Sequence, residues 1–413
     1  MKIVVLNLGC KVNQYESDSI IKTLTEQGHD VSDSLGFADV YILNTCAVTN
    51  EAERKSRQAV KRCINYNKDA KVIVCGCASQ NNAEQFSVKG NVTRVSGVAN
   101  KSEIPSLIQE IGVHIDNLPL KYEDDFSPLS MRTRSYVKVQ DGCNNFCSYC
   151  LIPYLRGRSR SRSIESVVKE CDGLKDAPEI VITGINLSAY GKDIGSSLTE
   201  LIKALAHIDV RIRLGSLEVN VVDDELLTAL KGLKRFCPQF HLSLQSGSNS
   251  VLKKMNRHYT NEDYYKRVEL IRSYFPDAAI TTDIICGFPT ETDEEFAECV
   301  EFARRVDFAD MHIFPYSRRA GTRASKLPDY PLDIKKNREV LLSEFMLDSR
   351  RRYMERFIGK TVEVVAEELH EGSYEGYTRE YVRAKIVGDV HQGEIINGIV
   401  EDVQDNKIIV RRI

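Results

Sequence analysis

Short apolar runs alternate with longer amphipathic stretches over most of the chain. To about residue 125, KIVVLNL, VYILN and KVIVC are separated by segments whose apolar positions recur at helical spacing. That is the alternation of an open, mostly parallel α/β sheet. A polar, proline-punctuated stretch, NLPLKYEDDFSPLSMRTRS (117–135), reads as a linker. From about residue 136 the alternation resumes: YVKVQ, EIVITG, RIRLG, FHLSLQ, AITTDIICG and MHIFPYS are six candidate strands, with helical patterns between most of them. Six β/α units suit a partial barrel, whose chemistry lies at the carboxyl ends of its strands. Beyond a long helix predicted near 333–357, KTVEVVAEEL, YVRAKIVG and NKIIVRRI are separated by glycine-containing turns and predict a small all-β barrel. The expected fold is therefore α/β in three parts: an open sheet over 1–125, a partial (β/α)6 barrel over 132–356 and an all-β barrel over 357–413.

A chain of 413 residues buries cores of its own and needs no disulfide staples. MKIVVLNLGC lacks the basic start and small-residue cleavage site of a signal peptide, and no apolar run approaches the ~18–20 residues of a membrane span. The expected location is the cytoplasm, where twelve cysteines serve as metal ligands, reactive thiols or small core residues rather than disulfides. A net charge of −3 neither demands nor forbids a nucleic-acid partner.

DGCNNFCSYC places Cys143, Cys147 and Cys150 directly after the first barrel strand. A structural zinc site wants four closed ligands, usually as two separated pairs, and no second CxxC pair follows. Iron–sulfur cubanes are held by thiolates, and a three-cysteine loop leaves one iron open to a substrate or cofactor. Cys171 lies among apolar neighbours at helical spacing and reads as core. In the first region LGCKVNQYES, LNTCAVTNEAERKSRQ and VCGCASQ put Cys10, Cys46 and either Cys75 or Cys77 just after apolar strands. Carboxyl ends of neighbouring parallel strands share one edge, so these thiols can converge on a crevice. Cys75 still belongs to the apolar run, whereas Gly76-Cys77 begins the turn, which favours Cys77. Cys63, Cys237, Cys286 and Cys299 lie in apolar or helical contexts and read as packing residues.

The CxxxCxxC loop with Tyr149 before its last cysteine resembles that of radical S-adenosylmethionine enzymes. The resemblance implies a [4Fe-4S] cluster whose open iron chelates S-adenosylmethionine and whose electron cleaves it to a 5′-deoxyadenosyl radical. It also implies cofactor contacts from TGINLSAYG (Gly184), RLGSLE (Ser216 and Glu218), LSLQSGS (Gln245 and Ser246) and the late glycine motif DIICGFPTET. With LGCKVNQYES, NTCAVT, KSRQ, GCASQ and PYLRGRSRSR added, the whole chain is similar to the methylthiotransferase branch of that family. By that likeness Cys10, Cys46 and Cys77 hold a second [4Fe-4S] cluster, Cys143, Cys147 and Cys150 hold the cofactor-cleaving one, and the terminal barrel is a TRAM domain that binds RNA.

The phrase LGCKVNQYE looks like the branch acting on N6-threonylcarbamoyladenosine in the tRNA anticodon stem-loop. Sister branches act on isopentenyladenosine in tRNA or on a ribosomal-protein aspartate. In the implied reaction one S-adenosylmethionine supplies a methyl group to a sulfur at the second cluster, and another supplies the radical that activates the adenine C2–H. A reductant such as a flavodoxin or ferredoxin is expected as a partner. Arg156, Arg158, Arg160 and Arg162, and Arg318, Arg319 and Arg323, are candidates to reach phosphates or the cofactor carboxylate at the barrel mouth. Tyr374, Tyr377 and Tyr381, interleaved with Arg379, Arg383 and Lys385, form a candidate RNA-stacking surface. Other classes remain open: an iron–sulfur electron-transfer protein, which would want fully ligated clusters, and an RNA-binding module with zinc on its cysteines.

Overall fold

The computed structural model describes residues 1–123 and 132–413; the middle of the predicted linker lies outside the described residues. The first part is a six-stranded sheet in the order β2-β1-β3-β4-β5-β6. Its strands are β1 (Lys2–Asn7), β2 (Asp30–Ser32), β3 (Val40–Thr45), β4 (Lys71–Gly76), β5 (Val92–Ser96) and β6 (Gly112–His114). All are parallel. The three apolar runs became the central β1, β3 and β4. The edge strands β2 and β6 are short, and β5 carries Thr93 and Arg94 among its apolar residues, so an apolar-run criterion passes over them. Ile3, Val5, Ile42 and Ile73 pack on one face against the helix Lys11–Glu26, while Tyr41, Leu43 and Val74 face Val60 and Phe86 on the other.

The second part holds the six expected parallel strands: β7 (Arg134–Asp141), β9 (Glu179–Gly184), β10 (Arg211–Leu214), β11 (Gln239–His241), β12 (Ala279–Cys286) and β13 (Asp310–Pro315). A two-residue β8 (Arg160–Ser161) folds back antiparallel on β7. Regular pairing breaks between β10 and β11, leaving four- and three-stranded sheets joined by the bridges Ile212↔Phe236 and Leu217↔Leu242. The break shortens the predicted fourth strand to three residues. Cys171 is fully buried in the core of this unit, as expected of a packing residue.

After the helix Leu332–Glu355, five strands form a closed barrel in the order β14-β15-β16-β18-β17. They are β14 (Thr361–His370), β15 (Ser373–Thr378), β16 (Arg383–Val387), β17 (Ile395–Gln404) and β18 (Lys407–Arg412). This barrel docks onto the amino ends of the strands of the second unit. Arg213 at β10 donates to the carbonyls of Thr378 (3.1 Å) and Arg379 (3.0 Å), and Arg379 in turn donates to the carbonyl of Phe236. Tyr377 and Tyr381 stack with centroids 4.5 Å apart beneath the guanidinium of Arg134. The expectation that Tyr377, Tyr381 and Arg379 form an RNA-stacking surface is therefore corrected. Their rings and charge close the foot of the neighbouring barrel, because Arg134 and Arg213 there offer cation–π partners.

Glu179 anchors this foot. It pairs with Arg213 at 2.6 Å and Arg211 at 2.8 Å, all three buried. Burial pushes its carboxyl up, but the two guanidiniums outweigh that and hold it at about 2, against an ordinary 4.5. The stabilisation is thus present above pH 4.5 and fades as the pH falls toward 2. Glu179→Ala strands two buried guanidiniums and is expected to cost about 3–5 kcal/mol at neutral pH in denaturant unfolding. The variant should also lose the part of the acid transition that lies between those two pH values.

Candidate functional site

Three thiols emerge from the carboxyl ends of three adjacent parallel strands. β1, β3 and β4 pair in register, with Asn7 opposite Asn44 and Thr45 opposite Gly76. Cys10 caps the helix that follows β1, Cys46 follows β3 directly, and Cys77 opens the helix Cys77–Asn81 after β4. Gly76 makes the turn at φ +103°. A Cβ there would lie 2.6 Å from the carbonyl oxygen of Thr45, so only glycine delivers the next side chain to this edge. Cys75 is fully buried on the opposite face, among Ile42, Ile73 and Ile104. Cys46 feels the charges of both Cys77 and Cys10, and burial pushes its thiol up to about 11.

The second triad follows β7. Gly142 turns the chain at φ +69°, where a Cβ would collide with the carbonyl of Arg158. The loop is pinned by Cys143 N–H to the carbonyl of Gly157, Ser148 N–H to that of Met255, and Cys150 N–H to that of Cys147. Arg257 donates to Cys147 Sγ at 3.3 Å, and Asn186 lies 3.7 Å from Cys143 Sγ. Burial pushes the Cys150 thiol up to about 12, with Cys147 and Cys143 close enough to add to it. Among the described residues, neither triad brings its three sulfurs within 4.8 Å of one another, the spacing that wraps a single ion; His241, Asp283 and His312 do. A tetrahedral zinc ion gathers its thiolates at least that closely, so neither triad is arranged as a zinc site. In the His–Asp–His group each carboxylate oxygen already accepts from one imidazole, at 3.2 Å in both cases, so the group satisfies itself.

One buried charge hub joins the triads. Glu16, on the helix begun by Cys10, pairs with Lys101 (2.5 Å), Lys138 (2.9 Å) and Arg156 (3.1 Å). Asp141, at the end of β7, pairs with Lys138 (2.7 Å), Arg156 (3.1 Å) and Arg160 (3.3 Å). Arg156 also donates to Asn13 Oδ1 (2.8 Å) and, through Nε, to Cys77 Sγ (3.3 Å). Burial opposes ionisation of Glu16, yet Arg156, Lys101 and Lys138 hold its carboxyl well below the usual range. Two carboxylates face four cations, leaving positive charge beside Cys77 to match thiolate ligands. Leu151 and Leu155, from the segment after Cys150, pack into the core of the first sheet with Cys77 and Phe86.

The arginine runs behave differently from expectation. Arg156, Arg160 and Arg162 are buried in ion pairs, Arg162 with Glu170, and of the four only Arg158 is exposed. Arg319 is buried against Asn50 and Glu53 of the first part, while Arg318 and Arg323 stay exposed. Their spacing fits a basic loop, but folding brings carboxylates of other elements onto them: Glu16 and Glu53 from the first part, Asp141 from β7 and Glu170 from the following helix. Lys11, Glu16 and Asp141 lie inside the cysteine motifs but were not singled out, because the thiols alone drew the reading; Arg257 sits in no motif.

The expected cofactor contacts divide between two cavities. Gly184 and Ser216 line one of about 350 Å³, the lumen of the partial barrel, together with Cys10, Lys11, His241, Asp283, His312 and Tyr381. Glu218 lines the other, of about 440 Å³, which opens beside the second triad along Asn145, Asn186, Ser188 and Arg257. Arg257 spans the gap by pairing with Glu218 at 2.9 Å while donating to Cys147. Tyr149 packs against the apolar group of Val251, Met255 and Phe288. Gln245 takes φ +71° and bridges to Asp283 and Ile285 through its backbone, outside the linings of both cavities. In the late glycine motif Gly287 abuts Lys335 of the long helix, where a Cβ would approach to 2.7 Å.

A partial α/β barrel with three thiols behind its first strand defines the class of radical S-adenosylmethionine enzymes, and residues 137–303 match the Radical SAM superfamily. Residues 2–97 match the Uncharacterized protein family UPF0004. Threonylcarbamoyladenosine tRNA methylthiotransferase MtaB of Thermotoga maritima is 41% identical, over 99% of this chain and 96% of that protein. The protein of the same name from Bacillus subtilis is 35% identical over 92% and 89%. The tRNA-2-methylthio-N(6)-dimethylallyladenosine synthase of Acetivibrio thermocellus is 33% identical over 97% and 88%. The chain belongs to the methylthiotransferase family of radical S-adenosylmethionine enzymes. Among solved structures, the radical S-adenosylmethionine methyltransferase TsrM from Kitasatospora setae, with cobalamin and a [4Fe-4S] cluster bound, matches 78% of this chain and 77% of its own at a TM-score of 0.57 and 16% identity. The cobalamin-dependent enzyme OxsB matches 84% and 56% at 0.54 and 13% identity, so both share the fold.

Arg156→Met is expected to destabilise the protein by about 3–5 kcal/mol, because Glu16 and Asp141 are left with fewer counter-charges in a dry interface. Urea unfolding monitored by circular dichroism measures the change.

Proposed function

We propose that the protein transfers a methylthio group to C2 of N6-threonylcarbamoyladenosine in the anticodon loop of tRNA. Cys143, Cys147 and Cys150 hold the [4Fe-4S] cluster that binds S-adenosylmethionine, and Cys10, Cys46 and Cys77 hold the second. The observation that carries this reading is the placement of two open thiol triads around one partial barrel, locked together by Arg156, in a chain 41% identical to a threonylcarbamoyladenosine methylthiotransferase. Bound clusters and S-adenosylmethionine supply radical and sulfur-transfer chemistry, which the C2–H needs because it offers no acidic proton to a base.

The chain's own residues position and shield. Arg257 fixes the Cys147 sulfur and the Glu218 carboxylate relative to each other. Gln140 accepts the Asn186 N–H at 2.7 Å and so sets the turn beside Cys143. The lumen admits a base only after it leaves its stack, at a cost of a few kcal/mol that is smaller in a single-stranded loop. A flavodoxin- or ferredoxin-type reductant and a cytoplasmic location complete the proposal. No helix among the described residues is long and apolar enough to cross a membrane.

Mass spectrometry of tRNA nucleosides from cells with and without the gene tests the reaction. Loss of 2-methylthio-N6-threonylcarbamoyladenosine is expected on deletion; a mass change in a ribosomal protein or in isopentenyladenosine instead rejects the substrate. For the ligands, anaerobically reconstituted Cys77→Ala should hold about half the iron of the parent protein, whereas Cys75→Ala should keep all of it.

A further inference from the structure

The lumen runs from Cys10, Gly184 and Ser216 at the carboxyl ends of the strands down to Tyr381 at the foot. Its lining includes the polar and charged side chains of Lys11, Gln239, His241, Asp283, Asp310 and His312, so a charged substituent can find a partner there. The charged groups of its walls are matched, with one exception. Asp283 holds His241 and His312, and Asp310 holds Arg350 at 2.6 Å. The guanidiniums beneath the floor are likewise taken, Arg213 by Glu179 and Arg134 by Glu367 at 3.1 Å. Lys11 has no hydrogen-bond or ion-pair partner among the described residues. It lines the lumen near enough to act electrostatically on His312 and on the floor residue Tyr381.

We propose that Lys11, with His312 facing it across the lumen, binds the carboxylate of the threonylcarbamoyl group and thereby selects the substrate. This rests on the function proposed above and adds the residue that reads its side chain. The geometry of the purine carries the step. C2 and C6 are separated only by N1, so the N6 substituent leaves the same edge of the base as the C2–H bond, and a base whose C2 faces the strand ends beside Cys10 carries that substituent within reach of the adjoining lumen residue Lys11. An anionic group arriving there meets an unpaired ammonium already in place, and the pairing is charge-assisted. Lys11 follows Cys10 directly and begins the same helix, so the cation's position is tied to that of the neighbouring thiol. His312, fixed by Asp283, offers an imidazole beside the same anion.

Two synthetic anticodon stem-loops separate charge from shape: one carrying N6-threonylcarbamoyladenosine, the other its neutral threoninamide analogue. Binding to the reconstituted holoenzyme is measured by fluorescence anisotropy for the parent, Lys11→Met, Lys11→Arg and His312→Gln. The parent should prefer the acid by about ten- to a hundredfold, the range of one charged hydrogen-bonded contact. Lys11→Met should bind both alike, Lys11→Arg should keep the preference, and His312→Gln should weaken it. A parent without preference, a Lys11→Met variant that keeps it, or its loss in Lys11→Met and Lys11→Arg together overturns the proposal. If the parent converts neither stem-loop but converts one carrying isopentenyladenosine, the functional reading itself fails. Conversion of the threonylcarbamoyl stem-loop with discrimination indifferent to Lys11 sinks this inference alone.

Discussion

The structure depends on a dry electrostatic junction: Glu16 and Asp141 against Lys101, Lys138, Arg156 and Arg160. Buried charges of this kind add little net stability compared with apolar packing, and losing one member leaves the others stranded. Their value lies in direction. Each hydrogen-bonded pair has a narrow geometry, so the junction fixes the rotation and separation of two units that an apolar contact would allow to slide. Arg156 extends that fixation to Cys77 itself. The apolar contribution of Leu151 and Leu155 to the first core holds the same segment from its other side. Reaction between groups on separate domains needs placement of this quality, because small displacements erode the advantage of proximity.

Much of the architecture was legible because periodicity reports burial. Central strands, covered on both faces, spell apolar runs, and β1, β3 and β4 were found that way; the barrel strands mix charged residues such as Lys138 and Arg213 with apolar ones and were found from their alternation with helical segments. Edge strands were not, since β2 and β6 show partly exposed residues and little alternation. The thiols were legible for a different reason: an unusual residue recurring just past apolar runs points to a shared sheet edge. Cys77 could be separated from Cys75 because strand alternation and the need for a turn at Gly76 place them on opposite sides.

Charged residues were harder to read. A run such as RGRSRSR presents the same letters whether it faces solvent or buried carboxylates, and its partners Glu16, Asp141 and Glu170 sit on three other elements. The same limit hid Arg257, whose role appears only when a loop more than a hundred residues after the triad is folded back against Cys147. Tyrosines were ambiguous too, because stacking under a guanidinium and stacking on a nucleobase demand the same half-exposed ring.

The docking of the terminal barrel bears on how such chains could be recombined. On sequence alone residues 357–413 look like a detachable small barrel. Here the carbonyls of Thr378 and Arg379 and the ring of Tyr381 supply partners to Arg213, whose charge the catalytic unit cannot expose to its own foot. A foreign barrel grafted in its place would have to reproduce those carbonyls and that ring at the same register. The appendage therefore evolves under the packing rules of an interior, with its freedom to vary confined to the faces turned outward.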